Sequence, residues 1–285
     1  MTHRSPTALS FCANLVVLVA IAPPALAADA SPWDGGERAA VRLIAGLPQK
    51  VGGTAVQRAG VQIRLADGWK TYWRYPGDSG VPPRFDFTRS RNVKSVTVRW
   101  PAPQRLTDES GTSIGYKHEV VFPLEVVAQD AAKPVELVLG IDYAVCEKLC
   151  VPADGKAELT IDGKGREQDG KIAQSEALVP RPAKLGADDG GLAILAAKRE
   201  AGGANPRVVI DVATPANLAV ELFAEGPTPD WALPVPDAIA GAPAGQQRFA
   251  FEVDGLPPNT KADGAMLTLT AVAGGRAIEV PFRLD

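Results

Sequence analysis

The chain has 285 residues, with 33 acidic and 30 basic side chains and a formal net charge of −3 at pH 7. Because both signs are interspersed and nearly balanced, there is no electrostatic basis for binding nucleic acid or an anionic membrane surface. The length is sufficient for two domains of ordinary size.

The first 27 residues have the pattern of a signal peptide. An apolar stretch runs from Leu15 to Ala22 and is too short to span a bilayer. Ala25-Leu26-Ala27 then supplies the small-x-small site at which signal peptidases cut. We therefore predict cleavage after Ala27 and a soluble mature protein that works outside the cytoplasm and does not span the membrane.

The mature chain begins with short stretches in which apolar and polar residues alternate. The alternation is sustained longest just before the cysteine-bearing turn, at Val135, Leu137, Leu139, Ile141, Tyr143 and Val145. A period of two is typical of strands with one buried face. Because Pro and Gly turns separate these strands, the pattern indicates an antiparallel β-sandwich.

The alternation stops after residue 161 and resumes after about residue 206. We predict a linker over residues 166–190, followed by a short helix around Leu192–Arg199 that Gly202 and Gly203 would end. Further strands are predicted at Val208–Val212, Leu218–Leu222, Phe249–Val253, Leu267–Leu269 and Ile278–Leu284. The predicted organisation is a signal peptide (1–27), a first domain (28–165), the linker (166–190) and a second β-sandwich domain (191–285).

Cys146 and Cys150 are the two cysteines that remain after the predicted cleavage, and they lie at a turn between two strands. In an oxidising compartment such a pair is expected to form a disulfide. A loop this short would stabilise the fold by only about 2 kcal/mol in the chain-entropy model. Lys148 between the thiols favours a thiolate and Glu147 opposes it. From spacing alone, a structural disulfide and a redox-active pair are evenly matched.

Metal binding is a further interpretation of the two cysteines. Two thiolates could hold Cu(I), but structural zinc needs four ligands, and the mature chain adds only His118. His118 itself is predicted to be an exposed residue in a strand beside Glu119.

Around the cysteines, an ordered set of motifs runs along the chain. They are Asp67-Gly-Trp-Lys-Thr-Tyr-Trp-Arg-Tyr-Pro-Gly-Asp-Ser-Gly-Val-Pro-Pro83, Trp100-Pro-Ala-Pro103, Gly115-Tyr116, Phe122-Pro-Leu124 and Cys150-Val-Pro152. In this order they resemble the amino-terminal periplasmic domain of the disulfide reductases DsbD and, more closely, ScsB. The resemblance covers Val41 to Ile161.

The resemblance implies an all-β fold of two immunoglobulin-like antiparallel β-sandwich domains, with the redox cysteines in the first. By the same resemblance, Cys150 is expected to form mixed disulfides with partner proteins, and Cys146 is expected to resolve them. Tyr72, Tyr116 and Glu109 are expected to line the active site.

The function implied is periplasmic thiol–disulfide exchange, as a component of a protein-disulfide reductase. Such exchange needs two accessible thiols, so no cofactor and no metal is expected. The family's membrane-embedded and thioredoxin-like domains do not follow in this sequence. The expected partners are therefore a separate membrane electron-transfer protein and periplasmic thioredoxin-like proteins.

Two other functions stay open at this point. One is a binding module with a purely structural disulfide, in which the aromatic run Trp69, Tyr72, Trp73 and Tyr75 docks a ligand, although most of this run is predicted to be core. The other is a Cu(I)-handling protein. The stretch 107–113 matches the family's cap loop but has no aromatic residue. Either another group, such as Tyr116, shields the cysteines or the pair is more exposed.

Overall fold

The residues described by the computed structural model are 1–2, 28–77, 80–108, 111–188, 191–200, 205–215 and 218–285. They form mainly antiparallel sheets, so the predicted all-β fold is confirmed. The predicted signal peptide lies outside the described residues apart from Met1 and Thr2, and Glu109 lies outside them too.

Two sheets formed by the strands between Asp34 and Ile161 make up the first sandwich. In chain order these strands are β1 (Asp34–Gly35), β2 (Ala39–Ala45), β3 (Gln49–Val51), β4 (Thr54–Leu65), β5 (Lys70–Gly77), β6 (Arg84–Asp86), β7 (Val93–Val98), β8 (Gln104–Asp108), β9 (Gly111–Lys117), β10 (Glu119–Ala128), β11 (Val135–Cys146) and β12 (Cys150–Ile161). One sheet has the order β1-β2-β4-β10-β7, with β3 on β4. The other has the order β12-β11-β5-β9-β8, with β6 on β11.

The core of the first sandwich follows the alternation seen in the sequence. Every second residue of β11 from Val135 to Val145 is buried, and the residues facing it from β4 and β10 are apolar as well. Phe122 lies at the centre, and its ring meets those of Phe85, Trp100 and Tyr116 at edge-to-face angles. Such aromatic pairs add to the apolar burial that stabilises a sandwich.

A helix covers part of the outer face of the first sheet. Helix α1 (Asp169–Ala177) lies within the segment predicted as a linker. Its Ile172 is fully buried, and its Ser175 hydroxyl donates to the carbonyl of Val121 in β10. Asp169 and Glu176 both pair with the buried Arg58 of β4, so that the cation is not left without a partner.

The second sandwich follows α1. Its strands are β13 (Arg181–Pro182), β14 (Ala193–Glu200), β15 (Arg207–Ala213), β16 (Glu221–Glu225), β17 (Asp237–Ile239), β18 (Gln246–Glu252), β19 (Ala265–Ala273) and β20 (Arg276–Leu284). They form one sheet of order β13-β20-β19-β16 and another of order β14-β15-β18-β17. The short β13 runs parallel to β20, whereas the other pairs of these two sheets are antiparallel.

One predicted element of this region is wrong. The helix expected around Leu192–Arg199 is the strand β14, which pairs with β15 from Ala193 to Glu200. Its run of Ala and Leu favours a helix locally, but cross-strand pairing and burial of Ala193 and Ile194 override that preference. Gly202 and Gly203 lie outside the described residues. The strand expected from Leu218 begins only at Glu221, and Leu218 is exposed.

None of the helices in the described part of the chain has the length and apolar character required to cross a membrane.

Candidate functional site

The two cysteines close the end of a long hairpin of the first sandwich. Strands β11 and β12 pair without a register shift from Val135 opposite Ile161 to Cys146 opposite Cys150. The loop between the last pair is only Glu147, Lys148 and Leu149. Cys146 and Cys150 form a disulfide, with their Cα atoms 4.1 Å apart.

Strand periodicity places this disulfide on the outer face of its sheet. Val145 faces the core, and the next residue, Cys146, must therefore point to the opposite side. There Cys146 packs with Tyr72 and Ala144 in a small cluster separate from the main core. The two sulfurs are not equivalent, because Cys146 is only 3% exposed whereas Cys150 lies exposed at the surface.

Strand β5 brings a tyrosine to the exposed sulfur. Its residues Lys70 and Tyr72 alternate with core-facing Trp73 and so share the outer face with the cysteines. The Tyr72 hydroxyl lies 3.1 Å from Cys150 Sγ. Burial raises the pKa of Tyr72, and the nearby charge of Asp108 raises it further. The phenol therefore stays protonated at neutral pH and can donate a hydrogen bond to a Cys150 thiolate.

An ion pair between a buried lysine and an exposed carboxylate lies next to this tyrosine. Lys70 is the cross-strand partner of Cys146, and its Nζ is 2.6 Å from Oδ2 of Asp108 at the end of β8. The lysine side chain is 7% exposed and the carboxylate 38%. Because the lysine carries its positive charge beside the carboxylate, the pair offsets the negative field that Asp108 alone would place near the sulfurs.

A glycine allows the chain to cross directly over Tyr72. At Gly80, φ is +138°, and a Cβ built there would lie 2.3 Å from Cε1 of the Tyr72 ring. Any side chain at this position would displace the ring, and the backbone conformation itself favours glycine. Gly80 therefore covers the tyrosine that contacts Cys150.

The residues predicted from sequence are only partly brought together. Tyr72 joins the cysteines, whereas Tyr116 lies in the main core, where its ring meets Phe122 and its hydroxyl donates to the Pro101 carbonyl at 2.8 Å. Burial raises the pKa of Tyr116 well above its ordinary value. Glu109 lies outside the described residues.

The exposure of the side chains tests two other sequence predictions, which concern the aromatic run and His118. In the aromatic run, Tyr72, Trp73 and Tyr75 are buried and Trp69 is partly buried, which confirms the core prediction for most of it. The His118 side chain is exposed, as predicted, but the residue lies between β9 and β10 with φ +64° rather than inside a strand.

Sequence reasoning missed Lys70 and Asp108. Both stand beside predicted site residues: Lys70 is two positions before Tyr72, and Asp108 directly precedes Glu109. The available signal was strand parity, since residues 70 and 72 must share a face of β5. The sequence does not reveal that the end of β8, which carries Asp108, lies beside that face of β5.

Two exposed apolar side chains lie at the rim of the site. Leu149, at the tip of the hairpin loop, is 74% exposed, and Val81, next to Gly80, is 52% exposed. Large exposed apolar side chains around a reactive group are typical of a surface that contacts another protein. No group of three or more His, Cys, Asp or Glu side chains that could hold a metal ion occurs among the described residues.

The fold and the hairpin define a two-sandwich protein with a thiol–disulfide site on the outer face of one sheet. Residues 48–162 match the model of the family described as "Thiol:disulfide interchange protein DsbD, N-terminal". This segment is a DsbD amino-terminal domain, so the resemblance seen in the sequence is confirmed.

Among solved structures, the chain is similar to the N-terminal periplasmic domain of ScsB from Proteus mirabilis. The TM-score is 0.67 at 21% sequence identity, and the match covers 90% of this chain and 98% of that one. At this identity the likeness concerns the fold, and it confirms the immunoglobulin-like β-sandwich prediction. No curated protein sequence matches the chain.

Proposed function

We propose that the protein carries electrons in the periplasm between a membrane electron-transfer protein and thioredoxin-like proteins, through the Cys146–Cys150 pair. The match of residues 48–162 to the thiol:disulfide interchange family model supports thiol–disulfide exchange as its chemistry. The compartment is supported by the predicted signal peptide and by the likeness to a domain of ScsB that is itself periplasmic.

One observation carries the proposal: the two sulfurs differ in access. Cys150 is exposed, with the Tyr72 hydroxyl 3.1 Å away, while Cys146 is buried against Tyr72 and Ala144. An exchange protein needs one sulfur that a partner can reach and a second that stays close by to resolve the mixed disulfide. A purely structural bridge has no need for this asymmetry.

The exchange step uses only the two thiols. The Cys150 thiolate attacks a sulfur of the partner's disulfide, which forms a mixed disulfide and releases one partner thiolate. The Cys146 thiolate then attacks Cys150 Sγ, which closes the Cys146–Cys150 bond and releases the second partner thiolate. Two electrons thus pass to the partner. A dithiol of the membrane donor returns the pair to the reduced state by the same two steps in reverse.

Tyr72 and the Lys70–Asp108 pair support this step electrostatically. The protonated phenol can donate to the Cys150 thiolate, and a charge-assisted bond of this kind is about twice as strong as a neutral one. Lys70 offsets the charge of Asp108 near the same sulfur. Both effects favour the thiolate, which is the attacking species.

The decisive test is the reduction potential of the mature protein, measured by equilibration with glutathione or dithiothreitol buffers. We expect a potential more oxidising than about −300 mV. The Cys146→Ser/Cys150→Ser double variant serves as the thiol-free blank. A potential well below that value, with a disulfide that resists reduction, would indicate a structural bond and overturn the proposal.

The proposed location has a separate test. Periplasmic extracts of cells that express the full chain should contain the protein with Ala28 as its first residue. A protein that retains its first 27 residues, or that remains in the cytoplasmic fraction, would contradict export with cleavage after Ala27.

A further inference from the structure

Strand β5 belongs to two parts of the molecule. Its first residues, Lys70 to Tyr72, face or flank the disulfide, whereas Trp73, Arg74 and Tyr75 contact the second sandwich. The pairing of β5 with β9 is interrupted between Tyr72 and Gly77, at the point where the strand changes from one environment to the other. The site and the junction between the sandwiches are therefore adjacent on one strand.

The attachment of β5 to the cysteine hairpin is slight. Among the described residues, its ladder with β11 consists of the single pair Lys70 and Cys146. A further bond runs from the Thr71 hydroxyl to the Ala144 carbonyl at 2.9 Å. On its other edge β5 pairs with β9 from Lys70 to Tyr72. The position of Tyr72 relative to Cys150 therefore depends largely on contacts of β5 other than those with the hairpin.

The second sandwich supplies apolar support immediately after Tyr72. Trp73 is fully buried, and its ring centroid lies 5.9 Å from that of Phe223 in β16. The Tyr75 hydroxyl donates to the carbonyl of Leu233. Both contacts fix the side of β5 that faces away from the disulfide.

An ion pair adds a directional constraint. Nε and Nη2 of Arg74 donate to the two carboxylate oxygens of Glu225 at 2.8 and 2.7 Å, and Nη2 also pairs with Glu279 in β20. Burial lowers the pKa of Arg74, but the hydrogen bonds and charges of the two glutamates outweigh burial and raise it, so the guanidinium stays charged. A two-pronged arginine–carboxylate contact fixes orientation as well as distance.

The strand that carries Asp108 is held in the same way. Three residues before it in β8, the backbone N–H of Arg105 donates to Glu221 Oε1 at 3.2 Å. The Arg105 guanidinium also donates to the Pro236 carbonyl and to Asp237 Oδ1. Thus both strands that bring non-cysteine groups to the disulfide are fixed by the second sandwich.

We propose that the second sandwich is a positioning element, which holds β5 and β8 so that Tyr72 and the Lys70–Asp108 pair lie beside Cys150. Arg74 and Glu225 act as positioning residues through β5, because they contact each other and Glu279 rather than the sulfurs. The inference rests on the proposed function, because it assigns these contacts a role in the reactivity of the cysteine pair.

The test compares two carboxylates of the second sandwich. Glu225→Gln removes one charge from the contact with Arg74, while Glu279 still pairs with that arginine. Asp211→Asn is the matched control: Asp211 accepts two bonds from Arg248, at 2.6 and 2.8 Å, and its side chain is 12% exposed against 14% for Glu225. Asp211 lies in β15, in the other sheet.

We measure the equilibrium constant with glutathione and the pH dependence of Cys150 alkylation in the reduced full-length mature protein. Glu225→Gln should change the equilibrium constant by about threefold to tenfold, the size expected when one hydrogen bond at the sulfur is lost or weakened. It should also move the pH midpoint of alkylation upward. Asp211→Asn should change neither quantity.

A second variant keeps the proposal testable if Glu225→Gln does not fold. Phe223→Leu keeps the junction apolar but removes the ring that packs on Trp73, and it should change the same two quantities in the same direction. If both folded variants match Asp211→Asn and the wild type, the positioning role is overturned while exchange itself stands. If the wild-type disulfide resists reduction, the proposed function fails first.

Discussion

The two sandwiches share an architecture but differ in where they bury polar groups. Among the described residues of the second sandwich, the buried polar side chains are Asp211, which pairs with Arg248, and Thr270. In the strands of the first sandwich they are more numerous: Arg58 and Gln62 in β4, Lys70 and Thr71 in β5, and Ser113 in β9. Burial of polar groups has a free-energy cost that hydrogen bonds only offset. Of these groups, Lys70 lies next to the disulfide, where the contact with Asp108 offsets part of that cost.

The distribution of tyrosines follows the same division. The chain has four tyrosines and all of them, Tyr72, Tyr75, Tyr116 and Tyr143, lie in the first sandwich. Each is buried, and burial raises the pKa of Tyr72, Tyr116 and Tyr143. The first sandwich therefore contains the disulfide and every tyrosine of the chain, whereas the second contains neither cysteine nor tyrosine.

The largest expected effect comes from the cysteines themselves. Cys150→Ser should reduce exchange with a thioredoxin-like protein to background, because the remaining Cys146 is buried. Cys146→Ser should instead accumulate a mixed disulfide at Cys150, since the resolving thiol is missing. Non-reducing electrophoresis and mass spectrometry of the adduct distinguish the two outcomes. Trapping through Cys146 in the Cys150→Ser variant would reverse the assignment of the two sulfurs.

The next effect tests the alkaline sensitivity of the first sandwich. Burial, with smaller contributions from Asp34 and Asp154, raises the pKa of Tyr143 to about 12. Because the folded state holds this proton more tightly than the unfolded state, the associated stability is present below about pH 10 and is lost as the pH rises towards 12. At pH 11 the loss should be about 1.4 kcal/mol.

Urea unfolding of the oxidised protein at pH 8 and pH 11 measures this loss. Tyr143→Phe should lose about 1.4 kcal/mol less than the wild type between the two pH values. Absorbance of tyrosinate near 295 nm follows the titration directly, because the variant removes one of only four such chromophores. Equal losses in the wild type and the variant would contradict the buried, high-pKa state of Tyr143.

Much of the difference between the sandwiches can be predicted from the sequence. The alternation from Val135 to Val145 predicts β11 and places Cys146 on the opposite face by parity alone. The family motifs single out Tyr72, whose hydroxyl lies beside Cys150. These features are local, so a single sequence reveals them.

Features that depend on pairing between distant segments were not predictable. The Lys70–Asp108 contact requires that β8 end beside β5, across 38 residues of sequence. Likewise, β14 is a strand because β15 pairs with it, although its own composition favours a helix. The contact of Arg74 with Glu225 joins residues 151 positions apart, and no local pattern marks either as a partner of the other.

A smaller effect is expected from the Lys70–Asp108 ion pair. Lys70→Met removes a positive charge beside the Asp108 carboxylate, and the more negative field near the sulfurs disfavours the Cys150 thiolate. The pH midpoint of alkylation should rise by about one unit, which lowers the rate at neutral pH by about tenfold. Stopped-flow alkylation of the reduced protein measures both quantities.

Two variants check the electrostatic origin of this effect. Lys117→Met removes the exposed lysine of β9 that lies opposite Lys70 and should leave the midpoint unchanged. Adding Asp108→Asn to Lys70→Met removes the carboxylate charge as well and should restore the midpoint. If the double variant stays as slow as Lys70→Met, the lysine acts through packing rather than through its charge.

The smallest expected effect concerns the apolar rim, and it separates contact with a protein partner from the chemistry of the disulfide. Leu149→Ser removes a 74% exposed side chain at the hairpin tip without touching either sulfur. Its loss should slow exchange with a thioredoxin-like protein about fivefold, the equivalent of part of a buried leucine. The equilibrium constant with glutathione should not change, because so small a reagent does not cover the rim.

Leu185→Ser, at a 40% exposed leucine between β13 and β14, is the control and should affect neither reaction. Equal rates for the two variants would mean that Leu149 takes no part in recognition, and that the partner is positioned by groups closer to Cys150.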